Sequence, residues 1–235
     1  SSFTLDVVGL SLNHPLDEWL FDSGYRVDLW LGPQASDLGT NDSSDTAVAI
    51  RQAFIDLRIP LEDPRNAGWA RSVDLRLGTF ASPLGFESTD RTLNNHYTHS
   101  WGYSIEPTIH TGLLAMYPGV DAVENGESDF LLSLGVANSV DPRISGAPAN
   151  DDRKTFLSGL TWLIPNQFDV LGGTALSVGY VNGRVRTGNT PVQNLYLAAG
   201  LPLNNKAWEM AFTYDARMLN GTGNDDSVLG AHVSY

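Results

Sequence analysis

Large apolar and polar side chains alternate along most of the chain, and residues 205–215 (NKAWEMAFTYD) show this most clearly. In a strand, every second side chain shares a face, so the apolar residues would lie on one face and the carboxylates on the other. The apolar residues are Trp208, Met210, Phe212 and Tyr214, and the carboxylates are Glu209 and Asp215. A half-buried strand of a soluble sandwich has this pattern, and so does a membrane-barrel strand between lipid and a wet lumen.

Eleven segments of this kind, separated by residues typical of turns, predict an all-β fold in one domain over residues 1–235. The predicted strands cover residues 3–12, 24–32, 46–59, 69–80, 108–117, 128–138, 155–164, 170–182, 193–201, 206–218 and 226–235. Only residues 14–22 (HPLDEWLFD) are predicted to form a short helix.

The predicted strands are longer than soluble sheets usually require. Most span about 9–13 residues, whereas the usual strand has about 5–6 and a tilted membrane strand about 9–11. A soluble sandwich would also have to pack every apolar face into one core, while lipid accepts any apolar shape. The pattern therefore favours a transmembrane antiparallel β-barrel. Because single-chain bacterial barrels usually close with an even number, we expect about 12 or more strands, with one missed or part of the natural chain absent.

The polar faces of three predicted strands carry both signs of charge, which predicts a lumen of mixed charge. The lumen-facing candidates are Arg26, Asp28, Asp56, Arg58, Asp74, Arg76, His110, Glu209 and Asp215. Carboxylates exceed cations in the chain, and such an excess in the lumen would mildly favour the passage of cations.

Composition excludes several classes of function. The net charge of −13 disfavours a nucleic-acid partner, because phosphate binding needs a basic surface. Cysteine is absent, which excludes disulfides and thiolate chemistry. No basic stretch precedes an apolar one near Ser1, so we expect any signal peptide to have been removed.

Residues 45–118 contain three runs that resemble a known family: IRQAFIDLRIPL, SVDLRLGTFASPLGFEST and NNHYTHSWGYSIEPTIHTGLLAMYP. The family is the putative beta-barrel porin type 2 family, an outer-membrane-porin-like group. The matching positions are Gly78, Phe80, Pro83, Gly85, Glu87, Asn95, Tyr97, Thr98, His99, Ser100, Pro107, Ile109, His110, Thr111 and Gly112. His99 stands where the family usually has arginine, and members of the family are usually longer than this sequence.

The resemblance implies a porin of the bacterial outer membrane, a passive channel for small polar solutes or ions with no enzymatic activity and no cofactor. Its partners would be outer-membrane lipid, lipopolysaccharide and the solutes, with a homo-oligomer left open. Two alternatives remain. One is a soluble or secreted β-sandwich that binds or hydrolyses carbohydrate, and the other is a structural outer-membrane barrel that does not conduct.

Residues 81–107 form a long stretch without alternation between two predicted strands, and we predict that this stretch folds into the lumen as a constriction. Opposed charges at a constriction create a transverse field that filters polar solutes. The constriction candidates are Glu87, Asp90, Arg91, Asn94, Asn95, His96, Tyr97 and His99. The alternative is an external loop in water. If His99 lines the constriction, conductance or selectivity should change between about pH 5 and 8.

Catalytic and metal sites are not predicted. His96 and His99 have no obvious third ligand, so a polar loop explains them better than a metal does. Glu209 and Asp215 would lie about 20 Å apart on one strand, too far for a glycosidase pair. The chain contains no nucleophile elbow, phosphate-binding loop or dinucleotide fingerprint.

Overall fold

In the residues that it describes, the computed structural model contains eleven strands and a few short helical turns. It describes residues 5–17, 21–38, 40, 47–61, 72–94, 96, 98–119, 129–142, 153–168, 171–185, 190–202, 209–219 and 224–234. The strands are β1 (Val8–His14), β2 (Asp22–Leu31), β3 (Val48–Pro60), β4 (Ser72–Ala81), β5 (Ile109–Gly119), β6 (Asp129–Ala137), β7 (Thr155–Leu163), β8 (Ala175–Arg184), β9 (Pro191–Pro202), β10 (Glu209–Leu219) and β11 (Asn224–Ser234). Between these strands, the described residues form one α-helix, α1 (Trp101–Ile105), and two 3₁₀ turns, over Pro33–Leu38 and Arg91–Leu93. No helix within these ranges is long and apolar enough to cross a bilayer.

Each strand pairs antiparallel with the next one along the chain, in a single sheet that follows the order of the sequence. The prediction of an all-β fold with eleven strand segments is therefore confirmed. Within the described ranges, β1 and β11 are the edges of the sheet and are not paired with each other. Closure through a twelfth strand stays a prediction.

The helix predicted over residues 14–22 is wrong at both of its described ends. His14 belongs to β1 and Asp22 belongs to β2, where ladder hydrogen bonds already satisfy the backbone. The α-helix that the chain does form follows Ser100, whose side-chain oxygen accepts a hydrogen bond from the backbone N–H of Tyr103. A short polar residue at this position is a local signal for a helix start.

Two strands also begin later than predicted. β1 begins at Val8, whereas the prediction began it at residue 3. β8 begins at Ala175 because the preceding residues form a turn in which Gly173 has a φ of 80° and donates a hydrogen bond to the carbonyl of Ile164 at 2.9 Å. Glycine adopts this left-handed conformation without the steric cost that other residues meet.

The exposure of the two sheet faces is the reverse of that in a soluble protein. On one face, called the outer face, large apolar side chains are exposed, including Ile55 (46%), Leu77 (52%) and Phe212 (45%). The opposite, inner face buries polar side chains, and Asp215 is only 3% exposed. Soluble proteins rarely expose so much contiguous apolar surface. β10 thus points Phe212 outwards, and Trp208, which precedes this strand, lies outside the described residues.

The middle of the inner face is apolar. Phe80, Leu114, Leu157 and Val181 are buried there in one cluster, which also contains Leu84 of the 81–107 segment. The described strands make one sheet, so no second sheet covers the outer face within the described ranges, against the sandwich alternative. The 81–107 segment takes the place of a facing layer, and it packs on the inner side only.

Candidate pore lining and constriction segment

Charged side chains on the inner face of β3 and β4 neutralise one another. Asp56 lies opposite Arg76 in the strand register, and Arg58 lies opposite Asp74. Arg76 donates two hydrogen bonds of 2.9 Å to Asp56, and Arg58 donates two of 2.7 and 2.8 Å to Asp74. Such two-pronged pairs fix geometry as well as charge. This part of the inner face therefore carries little net charge.

Arg51 is the centre of a further charged cluster, although sequence analysis did not select it. Asp28 accepts hydrogen bonds from Ser11 (2.6 Å), Arg26 (2.8 Å) and Gln52 (3.0 Å), and a longer one from Arg51 (3.3 Å). Arg51 is only 5% exposed. A buried guanidinium is costly unless its donors find partners, so the partners of Arg51 are part of the structure of this site.

A β-bulge explains how Arg51 reaches the inner face. Asp28 pairs with Gln52, but the next residue of β2, Leu29, pairs with Ile50, so Arg51 has no residue opposite it. A bulge of this kind adds one residue to a strand and shifts its alternation. The sequence carries this signal, because the outward apolar positions of VAIRQAFIDLRI are even-numbered before Arg51 and odd-numbered after it.

The 81–107 segment crosses the inner face and contacts strands on both sides of it. On β3, Arg51 donates hydrogen bonds to the hydroxyls of Ser88 (3.1 Å) and Thr89 (2.9 Å). On β9, the side chain of Asn194 donates to the backbone carbonyl of Ile105 at 2.8 Å. Helix α1, within the segment, also contacts β10 and β11.

One glycine makes room for the start of this segment, and a second glycine lies beside it. Gly159 of β7 and Gly179 of β8 lie opposite each other on the inner face. A Cβ added at Gly179 would lie 2.5 Å from Cγ of Leu84, and one at Gly159 would lie 3.5 Å from the carbonyl oxygen of Pro83. The side chain of Leu84 therefore occupies space that any larger residue at position 179 would fill.

A half-buried carboxyl group, that of Glu106, and a buried one, that of Asp215, join the end of the segment to β10. Burial raises the pKa of Glu106 far above its usual value, and the hydrogen bond to Asp215, the charge of Asp215 and the charge of Glu87 raise it further. Glu106 is therefore protonated at neutral pH and donates a hydrogen bond to Asp215. A Cβ at Gly102 would lie 2.5 Å from Oδ2 of Asp215, so α1 approaches the pair as closely as glycine permits.

Glu87 and Tyr103 organise the middle of the segment. Glu87 accepts hydrogen bonds from the backbone N–H (2.8 Å) and the hydroxyl (2.6 Å) of Ser100. The rings of His99 and Tyr103 stack with centroids 3.7 Å apart. Burial raises the pKa of Tyr103, with Arg91 and Arg51 opposing that shift.

Comparison with known proteins decides the family. The family model described as Putative beta-barrel porin-2, OmpL-like matches residues 1–206 of the chain. The chain belongs to this family. No curated protein and no solved structure matches the chain.

The residues that carry the porin-2 resemblance have identifiable structural roles. Gly78 has a φ of 135°, and a Cβ there would collide with the backbone of β3. Phe80 is completely buried in the inner apolar cluster, and Pro83 covers Gly159. Gly85 has a φ of 105° and lies against the carboxyl group of Glu106. The motif thus turns the porin-2 chain out of β4 and onto the inner face.

The other constriction candidates of this porin-2 chain lie near the Arg51 end of the segment or beside β11. Asp90 caps the 3₁₀ turn that begins at Arg91, and its carboxylate lies 3.9 Å from Arg51. Asn94 accepts a hydrogen bond from the N–H of Ser88 (2.7 Å) and donates one to its carbonyl (2.8 Å). Asn95 and Tyr97 lie outside the described residues. Whether these residues narrow a channel stays a prediction.

A cavity of about 320 Å³ lies between the segment and the ends of β9 to β11. Its lining includes Glu87, His96, Glu209 and His232. The rings of His96 and His232 are 6.2 Å apart. No three His, Asp or Glu side chains in the described part of the chain are arranged to hold a metal ion.

His110, a lumen-facing candidate, does not border open space. Its side chain is completely buried, and Nδ1 lies 3.4 Å from the backbone carbonyl of Ser139. A histidine sealed in this way contacts no solute, so it acts on packing rather than on the charge of a pore.

His99 should respond to acid rather than to neutral pH. Burial lowers its pKa below 6.5, and Arg91 lowers it further while Glu87 opposes the shift. We therefore expect any change in conductance that His99 causes to occur below about pH 6.5. Conductance measured from about pH 4 to 8 should lose that acid transition in His99→Ala. If the acid transition in conductance remains in His99→Ala, another titratable group causes it.

Proposed function

We propose that this chain forms a channel of the bacterial outer membrane through which small polar solutes and ions diffuse passively. The observation that carries the proposal is the combination of an exposed apolar outer face with an inner face that carries the charged side chains of the strands. Hydrocarbon solvates the first and water the second in membrane barrels. Membership of the porin-2 family supports the same conclusion. Outer-membrane lipid and lipopolysaccharide would contact the outer face, and a homo-oligomer stays a prediction.

In this proposal the 81–107 segment narrows the channel. Two cations, Arg51 and Arg91, and two carboxyl groups, Glu87 and Glu106, act electrostatically on Tyr103 with opposite effects on its pKa. Tyr103 thus lies in a field between groups of opposite sign. A transverse field of this kind orders water and selects polar solutes by size and charge.

The channel should prefer cations. On the β3–β4 wall, arginines and aspartates cancel in pairs. On the other side, Glu87 and Asp215 make no ion pair with any described residue, whereas Glu106 is protonated at neutral pH and donates a hydrogen bond to Asp215. Uncompensated carboxylates raise the local concentration of cations. The proposal includes no catalytic step.

Current across a planar bilayer tests the function. Purified protein should give discrete conductance steps. Under a salt gradient, the reversal potential should shift towards the equilibrium potential of the cation. Uptake into liposomes should fall as the size of neutral sugars increases. The matched control is a preparation of an unrelated detergent-solubilised barrel of known impermeability, treated identically. Absence of steps from correctly folded protein would refute the channel.

A non-conducting structural barrel is the second candidate, because one observation favours it. Phe80, Leu114, Leu157 and Val181 form a buried apolar cluster with Leu84 in the middle of the inner face, where a channel would need polar surface. The same bilayer experiment separates the two candidates. A folded protein that inserts into liposomes but passes neither ions nor sugars would support the structural role.

A further inference from the structure

We propose that Arg51 is the positioning residue that holds the 81–107 segment against the inner face. The inference deepens the proposed function, because it rests on that function for its effect on conductance but not for the position of the segment. Arg51 joins three parts of the chain: Asp28 of β2, its own strand β3, and residues Ser88 to Asp90 of the segment.

The guanidinium group distributes its donors between the sheet and the segment. Nη1 bonds to Asp28, while Nε bonds to Thr89 and Nη2 to Ser88. Asp90 adds a second negative charge at 3.9 Å. The planar fork of arginine presents donors in fixed directions, so one side chain sets both the distance and the orientation of the segment.

The sheet does not need Arg51 for its own integrity. Asp28 keeps hydrogen bonds from Ser11, Arg26 and Gln52 when Arg51 is removed. In the segment, by contrast, the hydroxyl of Thr89 accepts a hydrogen bond from Arg51, and the hydroxyl of Ser88 accepts one from Arg51 and one from the backbone N–H of Asp90. Removing the guanidinium therefore disconnects residues 88–90 of the segment from the sheet while β2 and β3 remain paired.

The bulge supports a positioning role. If the alternation of residues 53–59 continued back along β3 without a break, residue 51 would point to the outer face, and the extra residue of the bulge lets it point inward. Bulges commonly redirect a side chain at a functional site. In β3 the redirected side chain is the one that reaches the segment, whereas the regularly placed Arg58 reaches Asp74 of the neighbouring strand.

Arg51→Met tests the inference, and Arg58→Met is its matched control. Both substitutions remove a guanidinium from the inner face of β3, but only Arg51 bonds to the segment. The chain has no cysteine, so a spin label on Leu93→Cys, an exposed residue of the segment, reports its motion without other labelled sites. The full chain, folded in detergent and in liposomes, is used throughout.

In Arg51→Met we expect the label to become mobile on the nanosecond scale and the ratio of docked to undocked segment to fall about tenfold or more, because charge-assisted hydrogen bonds are lost. Single-channel conductance should rise in the same variant. In Arg58→Met both quantities should match the parent. Unchanged label mobility in Arg51→Met would overturn the inference, and so would an equal rise in both variants, since that would mean general loosening.

A second variant covers the case in which Arg51→Met fails to fold. The double substitution Ser88→Ala and Thr89→Val removes the acceptors on the segment and leaves the sheet cluster complete. It should mobilise the label like Arg51→Met, and a label that stays immobile would overturn the inference. If the label responds as expected while parent protein conducts nothing, Arg51 keeps its role and the proposed channel function fails.

Discussion

Raising the pH from about 5 to about 9 should loosen the 81–107 segment and make the proposed channel more selective for cations. The cause is Glu106, which is buried against Asp215 with Glu87 nearby, so its pKa is raised far above the usual value. As the pH rises towards the raised pKa of Glu106, a growing fraction of this carboxyl group loses the proton that it donates to Asp215. Its ionisation places two carboxylates together and adds a negative charge to the inner face.

The direction follows from proton binding in the two states of the segment. Docked Glu106 holds a proton at a pH where an undocked, water-exposed Glu106 has released it. Docking is therefore fully favourable below the ordinary carboxyl pKa and weakens by about 1.4 kcal/mol per pH unit as the pH rises towards the docked value. Several groups face Glu106: Glu87 and Gly85 from the segment, Tyr196 from β9 and Asp215 from β10.

Glu106→Gln should abolish this part of the pH dependence. A glutamine amide still donates a hydrogen bond to Asp215 but cannot ionise. Reversal potential and mobility of the Leu93→Cys label, measured across the same pH range, should stay nearly constant in this variant. Glu209→Gln is the control, because it removes another carboxylate of the inner face that lies at the cavity. Equal pH profiles for the parent protein and Glu106→Gln would contradict the role of Glu106.

The alternation of apolar and polar residues was enough to predict the strands, because every second side chain of a strand faces the same environment. It identified which residues of β2 to β4 share the charged face, and the structure pairs Asp56 with Arg76 and Arg58 with Asp74 across adjacent strands. The same rule failed at Arg51, where the phase of the alternation changes, although the change is visible in the sequence. A search for phase shifts within strands would have selected this residue.

The remaining parts of the site depend on contacts between distant segments. Nothing near Glu106 in the sequence indicates that Asp215 will lie beside it, since that contact needs the segment to fold across several strands. The apolar centre of the inner face was missed for a different reason. In β7, large apolar residues occur at both Phe156 and Leu157, on opposite faces, so alternation could not distinguish the inner one.

Gly179→Ala should displace the 81–107 segment although the change adds a single methyl group. That methyl would lie 2.5 Å from Cγ of Leu84, which is 6% exposed and packed in the inner cluster, so one of the two must move. Overpacking a filled site costs about 1–3 kcal/mol. We expect the Leu93→Cys label to gain mobility and the conductance to rise.

Two further variants make this result specific. Gly200→Ala also adds a methyl group to the inner face, but there the nearest contact is the carbonyl oxygen of Ala175 at 4.0 Å, so the segment should stay docked. Adding Leu84→Ala to Gly179→Ala removes the collision. The double variant should therefore mobilise the label less than the effects of the two single variants added together, and a double-mutant cycle measures this difference. If Gly179→Ala behaves like Gly200→Ala, Leu84 does not seat the segment. If the cycle shows coupling, the contact between Gly179 and Leu84 holds the start of the 81–107 segment against β8. This contact would act independently of Arg51 on β3.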